Sequence, residues 1–173
     1  MKHLFLLICV LSLLVSCNST PKKTVQETAM QPVSLILDTD LGPDYDDVGA
    51  MAVMHALADS GYVDILATLS SNHDESVVPC IEVLNTYFNR PSIPVGAPKS
   101  EGGVTMTSGH KIKWTEALPD KYPHKTKKTS DAPDAVQVYR KVLSAQPDKS
   151  VVICTIGFFT HLQQLLHSEG DQY

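Results

Sequence analysis

The sequence predicts an α/β fold, a mostly parallel sheet joined by crossover helices. Three observations predict it. Short runs of strand formers alternate with helical apolar patterns from Val33 onward. The strand-like runs are apolar enough to be covered by helices. Three of them, ending near Leu37, Leu69 and Thr155, lead into turns rich in Asp, Ser, Asn or Gly, and in such sheets ligands bind beyond the carboxyl ends of the strands.

The elements follow in order. Val33 to Leu37 is a strand running into Asp38, and Asp47 to Ala58, apolar nearly all round, is a helix buried against the sheet. Tyr62 to Leu69 alternates as a second strand. Asp74 is placed to cap the next helix, which carries Val78, Ile81, Leu84 and Phe88 at helical spacing, with Pro79 confined to its first turns. A short strand spans Ile93 to Val95. Ala97 to Ser130 is a long loop with Gly102, Gly103 and the single Trp114, and loops of that length are functional or mobile. Ser130 or Asp131 caps a helix bearing Ala135, Val138, Tyr139 and Val142. Val151 to Thr155 is the last strand, and Thr160 to His167 the last helix.

Composition narrows the function. The chain has 173 residues, 43% of them hydrophobic and 19% charged, as a globular protein does. A net charge of −5 argues against nucleic acid, which needs a basic face. The basic run Lys121 to Lys128 reads as a solvated loop. Cys80 and Cys154 lie inside apolar patterns and read as buried thiols, since neither has the polar, basic setting of a reactive cysteine.

The N-terminus reads as a targeting segment. Lys2 precedes an apolar stretch, Leu4 to Val15, too short to span a bilayer comfortably. Leu14-Val15-Ser16-Cys17 resembles the lipobox of bacterial lipoproteins, which implies a signal peptide over 1–16, lipidation of Cys17 and a polar tether over 17–31. The main domain then covers 32–173. Asn18 after the cysteine fits an exported lipoprotein on the outer membrane or periplasmic face.

The chemistry concentrates in Asp38, Asp40, Asp44, Asp46 and Asp47, five carboxylates within ten residues. Two carboxylates ~4 Å apart repel by about 4 kcal/mol at an effective dielectric near 20. A turn that packs several together needs protons or a cation. With oxygen donors and no neighbouring His or Cys, the cation is hard, and Ca²⁺ is favoured over Mg²⁺ for its tolerance of irregular geometry. Helix capping explains one or two of these aspartates, not five. An EF-hand fits poorly, because Pro43 and Gly49 stand where its glycine and bidentate glutamate belong. A phosphatase Asp-x-Asp motif lacks its following hydroxyl residue here.

Leu35-Ile36-Leu37-Asp38-Thr39-Asp40, then Gly42 and Asp46-Asp47, resembles the signature of the inosine/uridine-preferring nucleoside hydrolases, with Pro43-Asp44 as an insertion. Thr68 to Asn72 and Val152 to Leu162 resemble two further family segments in the same order. The resemblance implies a nucleoside hydrolase-like, Rossmann-like fold that is C-terminally truncated. It implies that Asp40 binds calcium, orients water and accepts its proton. By the same resemblance Asp47 chelates the ion, Thr155 offers its backbone carbonyl, and Asp46 and Asn72 hold ribose hydroxyls. Asp38 buttresses the turn and Asp44 has no assigned role.

The implied reaction is hydrolysis of the N-glycosidic bond of ribonucleosides to base and ribose, a step of purine or pyrimidine salvage. The family's general acid, a histidine, and a further calcium-binding Asp have no match in this chain, so little or no turnover is expected of it alone. The competing reading is a surface lipoprotein that binds a sugar or nucleoside without cleaving it. A homo-oligomer is compatible with both. Trp114, Tyr122 and His124 are candidates either for a lid over the base or for packing anchors.

Overall fold

A computed structural model of the chain describes residues 30–99, 103–107, 111 and 113–173. The expected signal peptide, Cys17 and most of the tether lie outside the described residues. Val33–Thr39 forms β1, Asp46–Asp59 α1, Val63–Ser70 β2, Val77–Tyr87 α2 and Val95–Gly96 β3. A short helix, Trp114–Ala117 (α3), and a 3-10 turn, Thr129–Asp131, interrupt the long loop. Ala135–Ser144 is α4, Val151–Thr155 β4 and Thr160–His167 α5. The strands form one sheet in the order β3-β2-β1-β4, and every pairing is parallel, so the expected α/β architecture is the observed one.

Strand period decides what lies on each face. Leu35 and Leu37 of β1 pack with Met51 and Met54 of α1 and with Val77, Cys80 and Ile81 of α2. Ile36 faces the other way, with Ala67 and Leu69 of β2, Ala135 and Tyr139 of α4, and Leu162 and Leu165 of α5. The result is a helix–sheet–helix sandwich. Each fully buried Leu, Ile or Met side chain contributes about 1.5–3 kcal/mol.

Four local expectations are corrected. α1 is buried along one face only: Val53 and Leu57 are exposed, because no described element covers that side. Neither Ser130 nor Asp131 caps α4. They sit in the 3-10 turn, and Asp134 is the cap, its Oδ1 accepting from the Val136 and Gln137 amides at 2.7 and 3.4 Å. Asp74 lies one turn ahead of α2, at Asp74-Glu75-Ser76, where its carboxylate accepts from the Ser76 amide (3.0 Å) and hydroxyl (2.6 Å). β3 begins two residues later than expected, at Val95, and Gly96 lets it approach α4: a Cβ there would lie 2.9 Å from the Ala135 Cα.

The long loop is tied down at several points. Val104 bridges Asn72, and Ala97 bridges Asp134. The Thr126 and Lys125 amides donate to Glu82 at 2.8 and 2.7 Å. β4 is an edge strand. Val152, Ile156, Phe159 and Leu166 on and beyond it are exposed, Leu166 to 85%. Among the described residues no helix is long and apolar enough to cross a membrane.

Candidate functional site

Parallel strands put their carboxyl ends on one edge of the sheet, and the three segments singled out from the sequence meet there. The Ser71 amide donates to the Thr39 carbonyl at 2.8 Å, and the Ile156 amide to the Asp38 carbonyl at 2.9 Å. The Ser71 hydroxyl joins all three. It donates to the Thr39 carbonyl (3.3 Å) and accepts from the Phe158 amide (3.0 Å). Gly157 fits into this junction, where a Cβ would stand 2.5 Å from Ser71 Oγ and 2.6 Å from the Asp40 amide nitrogen.

The aspartate turn begins as β1 ends. Gly42 takes φ +65° and lies against Thr115, whose Cγ2 would be 2.7 Å from an added Cβ. Asp46 and Asp47 form the first turn of α1, where the helix dipole favours negative charge. Asp47 is buried, and the Thr39 hydroxyl donates to its Oδ1 while accepting from the Leu41 amide at 3.1 Å. Carboxylate oxygens of Asp44, Asp46 and Asp47 lie within 4.8 Å of one another. Asp40, half-buried, stands outside that trio but within its electrostatic reach.

Charge follows geometry. Burial pushes the Asp47 carboxyl up to about 6 against the opposing Thr39 hydrogen bond, and the charges of Asp40, Asp46 and Asp44 add to the rise. Asp40 is raised by burial too, with Asp46, Asp44 and Asp38 adding to it. The charges acting most strongly on both residues are carboxylates, not Lys or Arg. An all-oxygen donor set that the described residues leave uncompensated fits a hard divalent cation. Asp44, which the sequence left without a role, belongs to this set. Its signal was the local density of carboxylates rather than the motif.

Asn72, expected to hold ribose hydroxyls, bonds to backbone on two sides. It is fully buried, and its amide nitrogen donates toward the carbonyls of Gly42 (3.1 Å) and Met106 (2.9 Å), with those of Leu41 and Asp40 at 3.3 and 3.4 Å. Its Oδ1 accepts from the Asp74 and Met106 amides, each at 3.0 Å. The side chain is committed to backbone on both sides and so holds the aspartate turn against the long loop. Trp114 anchors the same turn. Its indole N–H donates to the Pro43 carbonyl at 3.4 Å and its ring packs 5.4 Å from Tyr45. Tyr122 is exposed, and its carbonyl lies 3.0 Å from His124 Nδ1.

Thr155 closes β4 in register with Asp38. Asp38 shares a strand face with Ile36, opposite that of Thr39, so its carboxylate points away from the aspartate turn. There Oδ2 accepts from the Tyr139 hydroxyl (2.9 Å) and pairs with His161 Nδ1 (3.0 Å), and all three side chains are fully buried. His161 is therefore a core residue packed on Asp38. His55 is also buried, at 3.1 Å from Asn85 Oδ1 and stacked on Phe88, and burial lowers its pKa. Cys80 and Cys154 are free thiols, and burial pushes Cys80 up to about 12. Thr39, Ser71, Tyr139 and His161 are residues to which sequence reading gave no role; three of them lie in the quoted segments, but nothing local marks their partners.

No protein-family model matches the chain, and neither does any curated protein. Solved structures do. The effector protein XOO4466 matches with a TM-score of 0.57 at 16% identity, over 78% of this chain and 39% of that one. The type III effector protein XopQ, complexed with adenosine diphosphate ribose, matches with a TM-score of 0.56 at 16% identity, over 78% and 38%. A plant nucleoside hydrolase, the PpNRh1 enzyme, matches with a TM-score of 0.50 at 23% identity, over 80% and 43%. The chain thus spans about two fifths of the length of the structures it matches. What these likenesses establish is the fold, a parallel α/β sheet of the nucleoside hydrolase-like kind.

Proposed function

We propose that this chain carries the ion- and ribose-binding part of a nucleoside hydrolase-type site, with Ca²⁺ as its cation. The observation that carries the reading is the set of mutually close, uncompensated carboxylates at the carboxyl edge of the sheet. Asp40, Asp47 and the Thr155 carbonyl would hold the ion, with Asp44 beside them. The ion would supply positive charge to balance these groups and a template for vicinal hydroxyls. Asp40 orients the attacking water and takes its proton, a role that contributes about 10²–10⁴-fold. Exposed Asp46 accepts from a ribose hydroxyl, while Asn72 keeps the turn in place. XopQ's complex with adenosine diphosphate ribose supports a ribosyl ligand.

We assign the chain an N-glycosidic hydrolase chemistry with little or no turnover by these residues alone, and export as a Cys17-anchored lipoprotein. The exposed apolar side of β4 and α5 suits self-association. The test is calcium calorimetry together with ribose release from inosine and uridine, with and without chelator, on the parent and on Asp40→Asn. Calcium uptake that Asp40→Asn weakens, with low turnover, is expected. Absence of calcium uptake overturns the site, and brisk metal-dependent turnover overturns the assignment of low activity. Calcium-dependent binding of ribose or nucleoside with no turnover at all favours the binding lipoprotein.

A further inference from the structure

A buried carboxylate on the far face of β1 has no place in the chemistry above, yet it sits two residues from Asp40 and directly across from Thr155. Asp38 is fully buried, and its neighbours come from two different helices: Tyr139 from α4 and His161 from α5. Its own carbonyl accepts from the Ile156 amide at 2.9 Å. One residue therefore joins the end of β1, the end of β4 and the two helices beneath them. Asp38 Oδ1 and His161 Nε2 are buried with no hydrogen-bond partner among the described residues. Burying such a group costs more than an apolar residue of equal volume would, so stability alone is a poor reason for it.

Direction is what the arrangement supplies. A carboxylate held by two donors from different helices has one position, whereas an apolar side chain can slide. Outer partners of this kind orient metal-binding groups. Gly157 already brings the turn after β4 against the Asp40 amide, so a displacement of either strand end reaches both proposed donors. We infer that Asp38, Tyr139 and His161 are positioning residues that fix the separation of Asp40 from the Thr155 carbonyl and thereby set calcium affinity. This rests on the ion site proposed above.

The experiment is calcium calorimetry on the full chain, with thermal unfolding in chelator measured in parallel. Tyr139→Phe removes one oxygen, and His161→Leu removes the ring donor. Each should weaken calcium binding by about tenfold or more. His161→Asn places an amide nitrogen close to where Nδ1 stands and should hold affinity within about threefold of the parent. Unchanged affinity in Tyr139→Phe and His161→Leu, with only a lower melting temperature in chelator, overturns the inference. Asp47→Asn separates the two levels. If it abolishes calcium uptake while the Tyr139 and His161 variants bind normally, the ion site stands and the positioning role falls. If the parent takes up no calcium, both fall. Should His161→Leu fail to fold, the single-atom change Tyr139→Phe decides the question.

Discussion

Asp47→Asn should stabilise the calcium-free chain while destroying its response to calcium. The folded protein holds the Asp47 carboxyl near 6 instead of 3.8, chiefly by burial. Each pKa unit is worth about 1.4 kcal/mol, so ionising this group in the native state costs about 3 kcal/mol, and solvent around exposed Asp44 and Asp46 screens this to about 2 kcal/mol. A carboxyl raised on folding contributes its full stability below pH 3.8, and that contribution is lost as the pH rises through about 6. At about pH 7 the parent has lost it, and the asparagine, which never ionises, has not. The Thr39 hydroxyl can still donate to the amide oxygen, so the substitution keeps the local hydrogen bond.

For a domain of this size about 2 kcal/mol corresponds to about 6 °C in melting temperature. Thermal unfolding followed by circular dichroism in chelator should show Asp47→Asn melting higher than the parent at about pH 7, with the gap closing at about pH 4. Calcium at about 100 times its dissociation constant should raise the parent by about 2.7 kcal/mol and leave the variant unmoved. If the variant melts lower than the parent in chelator at neutral pH, or if the gap is the same at both pH values, Asp47 is not a buried carboxylate crowded by its acidic neighbours.

Two further outcomes follow from the junction of the three segments. Gly157→Ala places a carbon 2.6 Å from the Asp40 amide nitrogen and 2.9 Å from the Thr39 carbonyl carbon, contacts that backbone cannot relieve without moving. It should cost about 1–3 kcal/mol in urea unfolding and weaken calcium binding, and a neutral result in both would contradict the packing. Asn72→Ala strips partners from buried backbone groups of Gly42 and Asp74 and from the part-buried Met106 amide, and should cost about 2–4 kcal/mol. If it instead leaves stability intact and weakens only ribose binding in calorimetry, the side chain touches ligand after all.

The alternation of elements was legible because each has its own period and its own punctuation. Val151 to Thr155 and Thr160 to His167 were readable to the residue, bounded by Pro147 on one side and by Gly157 between them. α1 was legible as a helix but not in its burial, since period alone does not say which apolar residues find a neighbour, and Val53 and Leu57 find none among the described elements. The cap of α4 lies three or four residues beyond the expected one because Ser130, Asp131 and Asp134 all carry capping side chains. Only the backbone path past Pro133 chooses between them.

Sequence alone determined that five carboxylates fall within ten residues at the end of the first strand, because chain connectivity keeps Asp38 to Asp47 together in any fold. It also determined that strand ends must share an edge, because parallel crossovers allow nothing else. Which of those carboxylates face one another was decided by tertiary structure. The two-residue period of β1 turns Thr39 toward Asp47 and Asp38 away, onto Tyr139 and His161, 101 and 123 residues further along the chain. Asn72, readable as a polar residue at a strand end, became a backbone clamp only because the long loop returns to it at Met106. Contacts of that kind depend on how distant segments pack, and no local pattern of residues encodes them.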